Sequence, residues 1–416
     1  MHPGRPERAC RGYWDEAVSN DTGAATSVLH GCATFGRWLG RRAERRITVL
    51  VDSALKDSDI VTTARGLVES PGRQVDFVAL TGAGDVQSVI ALADRLADSE
   101  LVIGIGGGSL LDQVKLATVA RDDRDARTRL TVSQRSGLIF LPEFTGRKTP
   151  LVSIPTTLGT GTEVSGVACL AHPGGKRLVL GMALQPEVAV LDAAATATLP
   201  GELLAEGVLE ALFRVVSPYI GDLRAAPTED MLVEAVAERL VGLGHALAAV
   251  RSADPSGVVA DDALRLEIAK VSGFSHNAWL HHGREPYAVK GWLLANELSW
   301  TLRVRKMTAV AALLPPLWQA IADGESRLGS AARLRQMWER LRMVGPQRLP
   351  ADPGAGVRAL VDAWRIERRL TADTALLDTV AQRTVRAWGA GLPMLGGLGA
   401  GDVRRLLSNA VPESSK

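Results

Sequence analysis

Apolar and polar positions change rhythm near residue 198, and the two rhythms predict different architectures. Upstream, RITVLVD (46–52), QVDFVALTG (74–82) and ELVIGIGGG (100–108) are apolar runs of strand length. They are rich in β-branched residues and bounded by polar or glycine positions, which predicts strands. DVQSVIALADRLADS (85–99) places apolar residues three and four apart with Asp85 as its N-cap, which predicts a helix. Strands separated by such helices imply parallel βαβ units, whose ligands sit at the carboxyl ends of the strands. The Arg-rich stretch 121–149 reads as a loop around the short apolar GLIFLP, and PLVSIPTTLG gives a further strand and turn. Downstream, GELLAEGVLEALFRVVSPYI, EDMLVEAVAERLVGLGHALAAV, DDALRLEIAKVSGFSHNAWL and AARLRQMWERLRMVG all carry helical spacing. The expected division is an irregular arm (1–27), an α/β domain with a parallel sheet (28–197) and an all-α domain (198–416).

Composition narrows the class. A chain of 416 residues is too long for one core. A 46% hydrophobic and 23% charged composition is that of a soluble globular protein. The 48 basic and 46 acidic residues leave a net charge of +2, so neither nucleic acid nor a membrane surface is an expected partner. The longest apolar stretches, such as 101–105 and 310–314, are far too short to span a bilayer. MHPGRPERACRGYWDEAVSND has no apolar core of a secretory signal, and PESSK reads as a frayed tail. Cys10, Cys32 and Cys169 lack metal-type spacing and read as reduced thiols, which makes the expected location cytoplasmic.

Two stretches carry candidate chemistry. In IGIGGGSLLDQVKLA (103–117) a buried run passes into three glycines and a serine. Glycines let backbone N–H groups approach a pyrophosphate closely, and the helix that starts near Ser109 aims its positive end at it. The alternative is a tight turn with Asp112 and Lys115 as a surface i,i+3 pair. IPTTLGTGTEVS (154–165) then offers four hydroxyls, Thr156, Thr157, Thr160 and Thr162, suited to phosphate and ribose oxygens or simply to local loop hydrogen bonds.

Together, GGGSLLDQVK and PTTLGTGTEVS resemble the iron-containing alcohol dehydrogenases, which share their fold with dehydroquinate synthase and glycerol dehydrogenase. VLHGCATFGRWLG followed by ITVLVD resembles the opening hairpin and first nucleotide-binding strand of that family. KRLVLGMALQPEVAVLDAAATATLP, SGFSHNAWL and AVAALLPPL have counterparts further along. The resemblance implies an NAD(P)-dependent dehydrogenase with a dehydroquinate synthase-like fold, forming a homodimer. Asp52 would meet the adenosine ribose and favour NAD over NADP, because a carboxylate repels a 2′-phosphate; a strand-end or capping role is the alternative. Gly106, Gly107, Gly108 and Ser109 would hold the pyrophosphate with Asp112 nearby. Thr156, Thr157, Thr160 and Thr162 would line the phosphate and nicotinamide-ribose region. Lys176 matches a family lysine near that ribose, unless it is a solvated loop lysine.

In the family, one carboxylate and three histidines hold a divalent metal that polarises the substrate hydroxyl. An ungapped count puts these ligands on Glu210, Arg214, Trp292 and Lys306, and a further family histidine on Asn296. Arginine has no lone pair to offer, and a Glu–Arg pair four apart is also an ordinary helix pair. The expectation is therefore a chain without the metal, in which Arg214 and Lys306 bind a substrate carboxylate, Glu210 accompanies them, and His281 or His282 acts as acid–base group. His276, His281 and His282 lie in an apparent insertion, where adjacent histidines point apart and chelate poorly. His245, on an apolar helix face, reads as structural.

A 3-hydroxy acid would suit such a site, since its 3-keto product loses CO₂ without a metal. The pattern resembles the dehydrogenases of daptide-type peptide biosynthesis, which oxidise a C-terminal threonine of a precursor peptide and work beside other pathway enzymes. The competing readings are a conventional metal-dependent alcohol dehydrogenase with its ligands elsewhere, a carbocycle-forming synthase, and a non-catalytic scaffold subunit.

Overall fold

The computed structural model describes residues 26–412 apart from 83, 144, 254–259 and 347. Cys10, nearly all of the expected arm and the final four residues lie outside the described residues. The described chain forms two compact units, one of residues 26–207 and 260–276 and the other of 208–253 and 277–412. The boundary lies ten residues beyond the change of rhythm, and one helix from the downstream half returns to the α/β unit.

The α/β unit is built on six parallel strands, β1 (Ser27–His30), β2 (Arg46–Asp52), β3 (Gln74–Leu80), β4 (Leu101–Gly106), β6 (Leu151–Pro155) and β9 (Val188–Leu191). Their spatial order is β1-β9-β6-β4-β2-β3. β4 is buried at all six positions, as a central parallel strand covered on both faces must be. A second, three-stranded sheet has the order β5-β8-β7, from β5 (Leu138–Phe140), β7 (Val167–His172) and β8 (Gly175–Leu180). Helices α1 (Cys32–Leu39), α2 (Asp59–Val68), α3 (Val86–Arg95) and α4 (Gly108–Asp122) cover the larger sheet, with α5 (Arg124–Thr131) beside α4. Asp85 caps α3 by accepting from the Ser88 amide at 2.8 Å.

Two expectations from the sequence fail here. The opening segment is no hairpin: β1 runs parallel to β9 and leads directly into α1. The stretch 121–149 is not all loop, because Arg124–Thr131 is helical, capped by Asp123 and seated through Ala126 and Leu130. With two inward residues in eight, its apolar signal is too sparse to register.

The division falls inside α6 (Gly201–Gly221). The helical unit continues with α7 (Pro227–Ala253), and α8 (Asp262–Phe274) belongs to the α/β unit, where Arg265 donates to the Ala193 carbonyl at 3.3 Å. Then come α9 (Lys290–Leu302), α10 (Lys306–Ala322), α11 (Ala331–Leu341), α12 (Pro353–Ala363), α13 (Thr374–Trp388) and α14 (Ala400–Ala410). α10 is apolar on every side and buried from Met307 to Pro315, and α9, α12 and α14 pack around it.

Candidate functional site

The carboxyl edge of the large sheet is shaped by two loops. β4 ends at Gly106 and α4 begins at Gly108, so the chain turns within one residue. No side chain caps α4, and Ser109 is exposed, which leaves the helix N-terminus open to an anion. The glycines are required by space. A Cβ on Gly107 would lie 3.0 Å from Thr157 Cγ2, and one on Gly108 would lie 2.7 Å from Thr160 Cγ2. The Gly108 amide donates to Thr157 Oγ1 at 3.3 Å and the Thr156 amide to the Gly106 carbonyl at 3.0 Å. Gly106 to Ser109 and Thr157 and Thr160 therefore form one cradle, and its residues fit a dinucleotide pyrophosphate.

The remaining candidates divide. Asp52 ends β2 one residue past the Val51–Ile105 pairing with β4, where a ribose contact is expected. One of its oxygens accepts from the Ala54 amide at 3.0 Å, so the capping role is present as well. Thr156 and Thr162 are buried. Asp112, expected beside the pyrophosphate, accepts from Thr162 Oγ1 at 2.5 Å and from the Cys169 amide at 2.9 Å, so it ties α4 to the end of the threonine loop and to β7. The alternative of a surface Asp112–Lys115 pair is overturned, because both are buried with Thr162 between them. Burial pushes the Lys115 ammonium down to about 8, with Asp112, Glu163 and Cys169 opposing that shift. Lys176 lies in strand β8 opposite Ala171 rather than in a loop.

The threonine loop has a third support that sequence reasoning missed. The Gly159 amide donates to Ser272 Oγ at 2.9 Å, and His276 Nε2 lies 2.9 Å from the Thr160 carbonyl. Both side chains come from the end of α8 and the turn after it, which is why that helix belongs with the α/β unit. Spacing alone gives no signal for this, since the partners are more than a hundred residues apart.

In the helical unit, α6 presents Glu210 and Arg214 one turn apart, and Lys306 begins α10. Lys306 Nζ lies 3.3 Å from Glu210 and Arg214 Nη2 lies 3.6 Å from the same oxygen. Lys306 also sits 4.3 Å above the Trp292 ring, which packs on Phe213 at 4.6 Å. Glu210, Arg214, Trp292 and Lys306 thus do come together. They do not fit a divalent metal: the one carboxylate already faces two fixed cations, and a further two positive charges would meet strong repulsion. Among the described residues no group of three His, Cys, Asp or Glu side chains is placed to hold a metal ion.

His281 and His282 belong to a separate feature. The segment after α8 carries a short turn (Ala278–Leu280), His281 follows it half-buried, and His282 is exposed against Trp279. Arg284, buried, fastens this segment by donating to Asp230 at 2.8 Å, while the Glu285 amide donates to Asp222 at 2.7 Å. Arg333 adds two bonds to Asp230 at 2.6 and 3.0 Å. His245 makes an edge contact with Trp364 at 6.1 Å within the helical core, and burial lowers its pKa.

Comparison with known proteins places this geometry. A family model described as iron-containing alcohol dehydrogenase matches residues 26–193. A probable alcohol dehydrogenase EutG of Escherichia coli (strain K12) is 31% identical over 237 residues, covering 53% of this chain and 56% of that protein. Long-chain-alcohol dehydrogenase 1 of Geobacillus thermodenitrificans (strain NG80-2) is 30% identical over 253 residues, covering 58% and 59%. A 4-hydroxybutyrate dehydrogenase of Cupriavidus necator is 25% identical over 244 residues, again covering 58% and 59%. The matched region thus spans little more than half the length of these curated relatives. Among solved structures, the NADH-dependent butanol dehydrogenase A of Thermotoga maritima superimposes with a TM-score of 0.75 at 17% identity, covering 93% of this chain and 97% of that one. An iron-containing alcohol dehydrogenase from Thermococcus thioreducens gives 0.71 at 19% identity, covering 93% and 98%. The parallel α/β domain followed by a helical region is therefore the fold of the iron-containing alcohol dehydrogenases, and the α/β part of this chain matches that family in sequence as well.

Proposed function

We propose that this protein is an NAD-linked oxidoreductase of the alcohol dehydrogenase type that acts without a metal on a hydroxy substrate bearing a carboxylate. The observation that carries the reading is the sharing of Glu210 by Lys306 and Arg214 above Trp292. Two cations thus converge on a single carboxylate oxygen, and that pairing of a guanidinium with an ammonium is suited to a substrate carboxylate. Arg214 presents a planar fork to that anion, Lys306 a point charge held in place by the indole, and Glu210 keeps both extended in the substrate's absence. Asp52 favours NAD over its 2′-phosphorylated form. The dinucleotide, when bound, takes up the hydride.

The chemistry agrees with a 3-hydroxy acid, of which the C-terminal threonine of a peptide is one form. Oxidation at the 3-position gives a 3-keto acid, which releases CO₂ as its C1–C2 electron pair moves into an enol, later protonated at carbon. His281, in the segment after α8, is the acid–base candidate carried over from the sequence. Among the relatives, one is named for 4-hydroxybutyrate, a hydroxy acid, and another for long-chain alcohols.

Elemental analysis on protein purified without chelator, with an NADH titration on the same sample, tests the first half. No bound transition metal with saturable NADH binding is the expected result. A stoichiometric metal whose removal abolishes activity overturns it. For the second half, Arg214→Ala should raise KM for the hydroxy acid about 30-fold or more while leaving the NADH dissociation constant unchanged. An uncharged alcohol as the best substrate would sink the carboxylate reading.

A further inference from the structure

α4 is buried on every face from Leu110 to Ala120, so Lys115 has no route to solvent and its side chain is wholly enclosed. Five oxygens surround its Nζ: the carbonyls of Thr162 at 2.9 Å, Ser165 at 2.7 Å and Val167 at 2.6 Å, and the hydroxyls of Thr162 at 3.0 Å and Ser165 at 3.4 Å. An ammonium has three N–H donors, so it cannot satisfy five acceptors by directed hydrogen bonds. Neutral carbonyl and hydroxyl oxygens converging at these distances are instead what a desolvated monovalent cation requires, as where backbone carbonyls replace the hydration shell of potassium. No carboxylate enters the inner sphere, since Asp112 reaches it only through the Thr162 hydroxyl. A magnesium- or calcium-like site would need one or more carboxylates there.

The three carbonyls come from the exit of the threonine loop and the start of β7. The entry to that loop is held by other means, through Gly159 on Ser272 and Thr160 on His276. Without a positive charge at its centre, three carbonyl dipoles pointing at one another would repel, and this end of the loop would open. Thr162 also links the cage to Asp112, and so to the helix that carries the glycine cradle.

We propose that the oxygen cage around Lys115 Nζ is a monovalent-cation site that the chain fills with its own ammonium, and that this charge sets the shape of the 156–165 loop. Once the lysine is shortened, the same cage takes up potassium or ammonium ion. Lys115 is on this account a positioning residue for the cradle, and the NADH arm of its test rests on the dinucleotide reading above.

The experiment compares wild type, Lys115→Ala and Lys115→Met in potassium, ammonium, lithium and choline chloride at one ionic strength. Wild-type Tm is indifferent to the cation. Lys115→Ala melts about 5 °C or more lower in choline, which is the scale of a lost buried charge in a chain this long. It recovers saturably in potassium or ammonium and not in lithium. Lys115→Met, whose stem fills the cage without charge, stays low in every salt. NADH affinity of Lys115→Ala follows the same order, falling about tenfold in choline and returning in potassium. Equal rescue by lithium and choline, or a Lys115→Met as stable as wild type, overturns the proposal. If Lys115→Ala is insoluble, Thr162→Val removes one ligand while keeping the ammonium. It should lower both Tm and NADH affinity, and an unchanged protein overturns the proposal. Wild-type protein that fails to bind NADH removes the dinucleotide reading, while the Tm series still decides the cation site.

Discussion

Several buried charged side chains in this protein meet partners distant in sequence, as Lys115 meets Thr162 and Asp230 meets Arg284 and Arg333. The Asp–Lys spacing of Asp112 and Lys115 and the Glu–Arg spacing of Glu210 and Arg214 are both visible in the chain, and both fit a solvated helix pair. The first pair proves to be buried and joined through Thr162, and the second acquires Lys306 as a third member. Asp230 shows the energetic stake. Arg284, 2% exposed, and Arg333, 12% exposed, both bind its carboxylate. Removing that negative charge leaves the buried Arg284 and the half-buried Arg333 with only backbone acceptors, and breaking such a desolvated pair costs about 3 kcal/mol. Asp230→Asn should therefore lower the unfolding free energy by about that amount in denaturant titration. A change within experimental error would mean that water reaches the pair.

Elements differ in how far local sequence dictates them. β2, β3, β4 and α3 are legible because each has one period and a clear boundary, such as the capping Asp85. α4 is a harder case: its apolar positions go all round the helix, so periodicity gives its existence but no inward face. The threonine loop depends on glycines whose need is tertiary. Gly159 has φ +99°, and a Cβ there would lie 2.4 Å from Gly207 Cα at the start of α6. Neither backbone can yield, so Gly159→Ala combines left-handed strain with a direct clash, together costing about 2 kcal/mol or more. The expected outcome is a lowered Tm with weakened NADH binding, because the displaced loop carries Thr157 and Thr160. Retention of wild-type NADH affinity would show that the loop adapts without disturbing the cradle.

The helical unit has a defined acid limit. Asp222 and Asp230 are partly desolvated, which raises their pKa values, but hydrogen bonds from Arg224 to Asp222, from Arg333 and Arg284 to Asp230 and from the Glu285 amide to Asp222 outweigh this, so both sit below the usual carboxylate range. A carboxylate held below its unfolded value of about 3.9 contributes its full stabilisation above that pH and loses it as the pH falls through the native value. Hydrogen exchange followed from neutral pH into this range should show segment 277–289 and the start of α7 losing protection below about pH 4. Earlier loss in the parallel sheet would assign the acid limit elsewhere. Among the described residues no helix is long and apolar enough to cross a membrane. By itself, the sequence determined the parallel α/β half, the helical half, the glycine turn and the threonine loop, because each rests on short-range period or on residues with special backbone geometry. Only the tertiary structure decided that Lys115 is caged, that α8 joins the α/β unit through Ser272 and His276, and that Lys306 and Arg214 converge on Glu210. Those outcomes depend on contacts between segments tens to more than a hundred residues apart, and the pattern along a chain does not record which buried charges will meet.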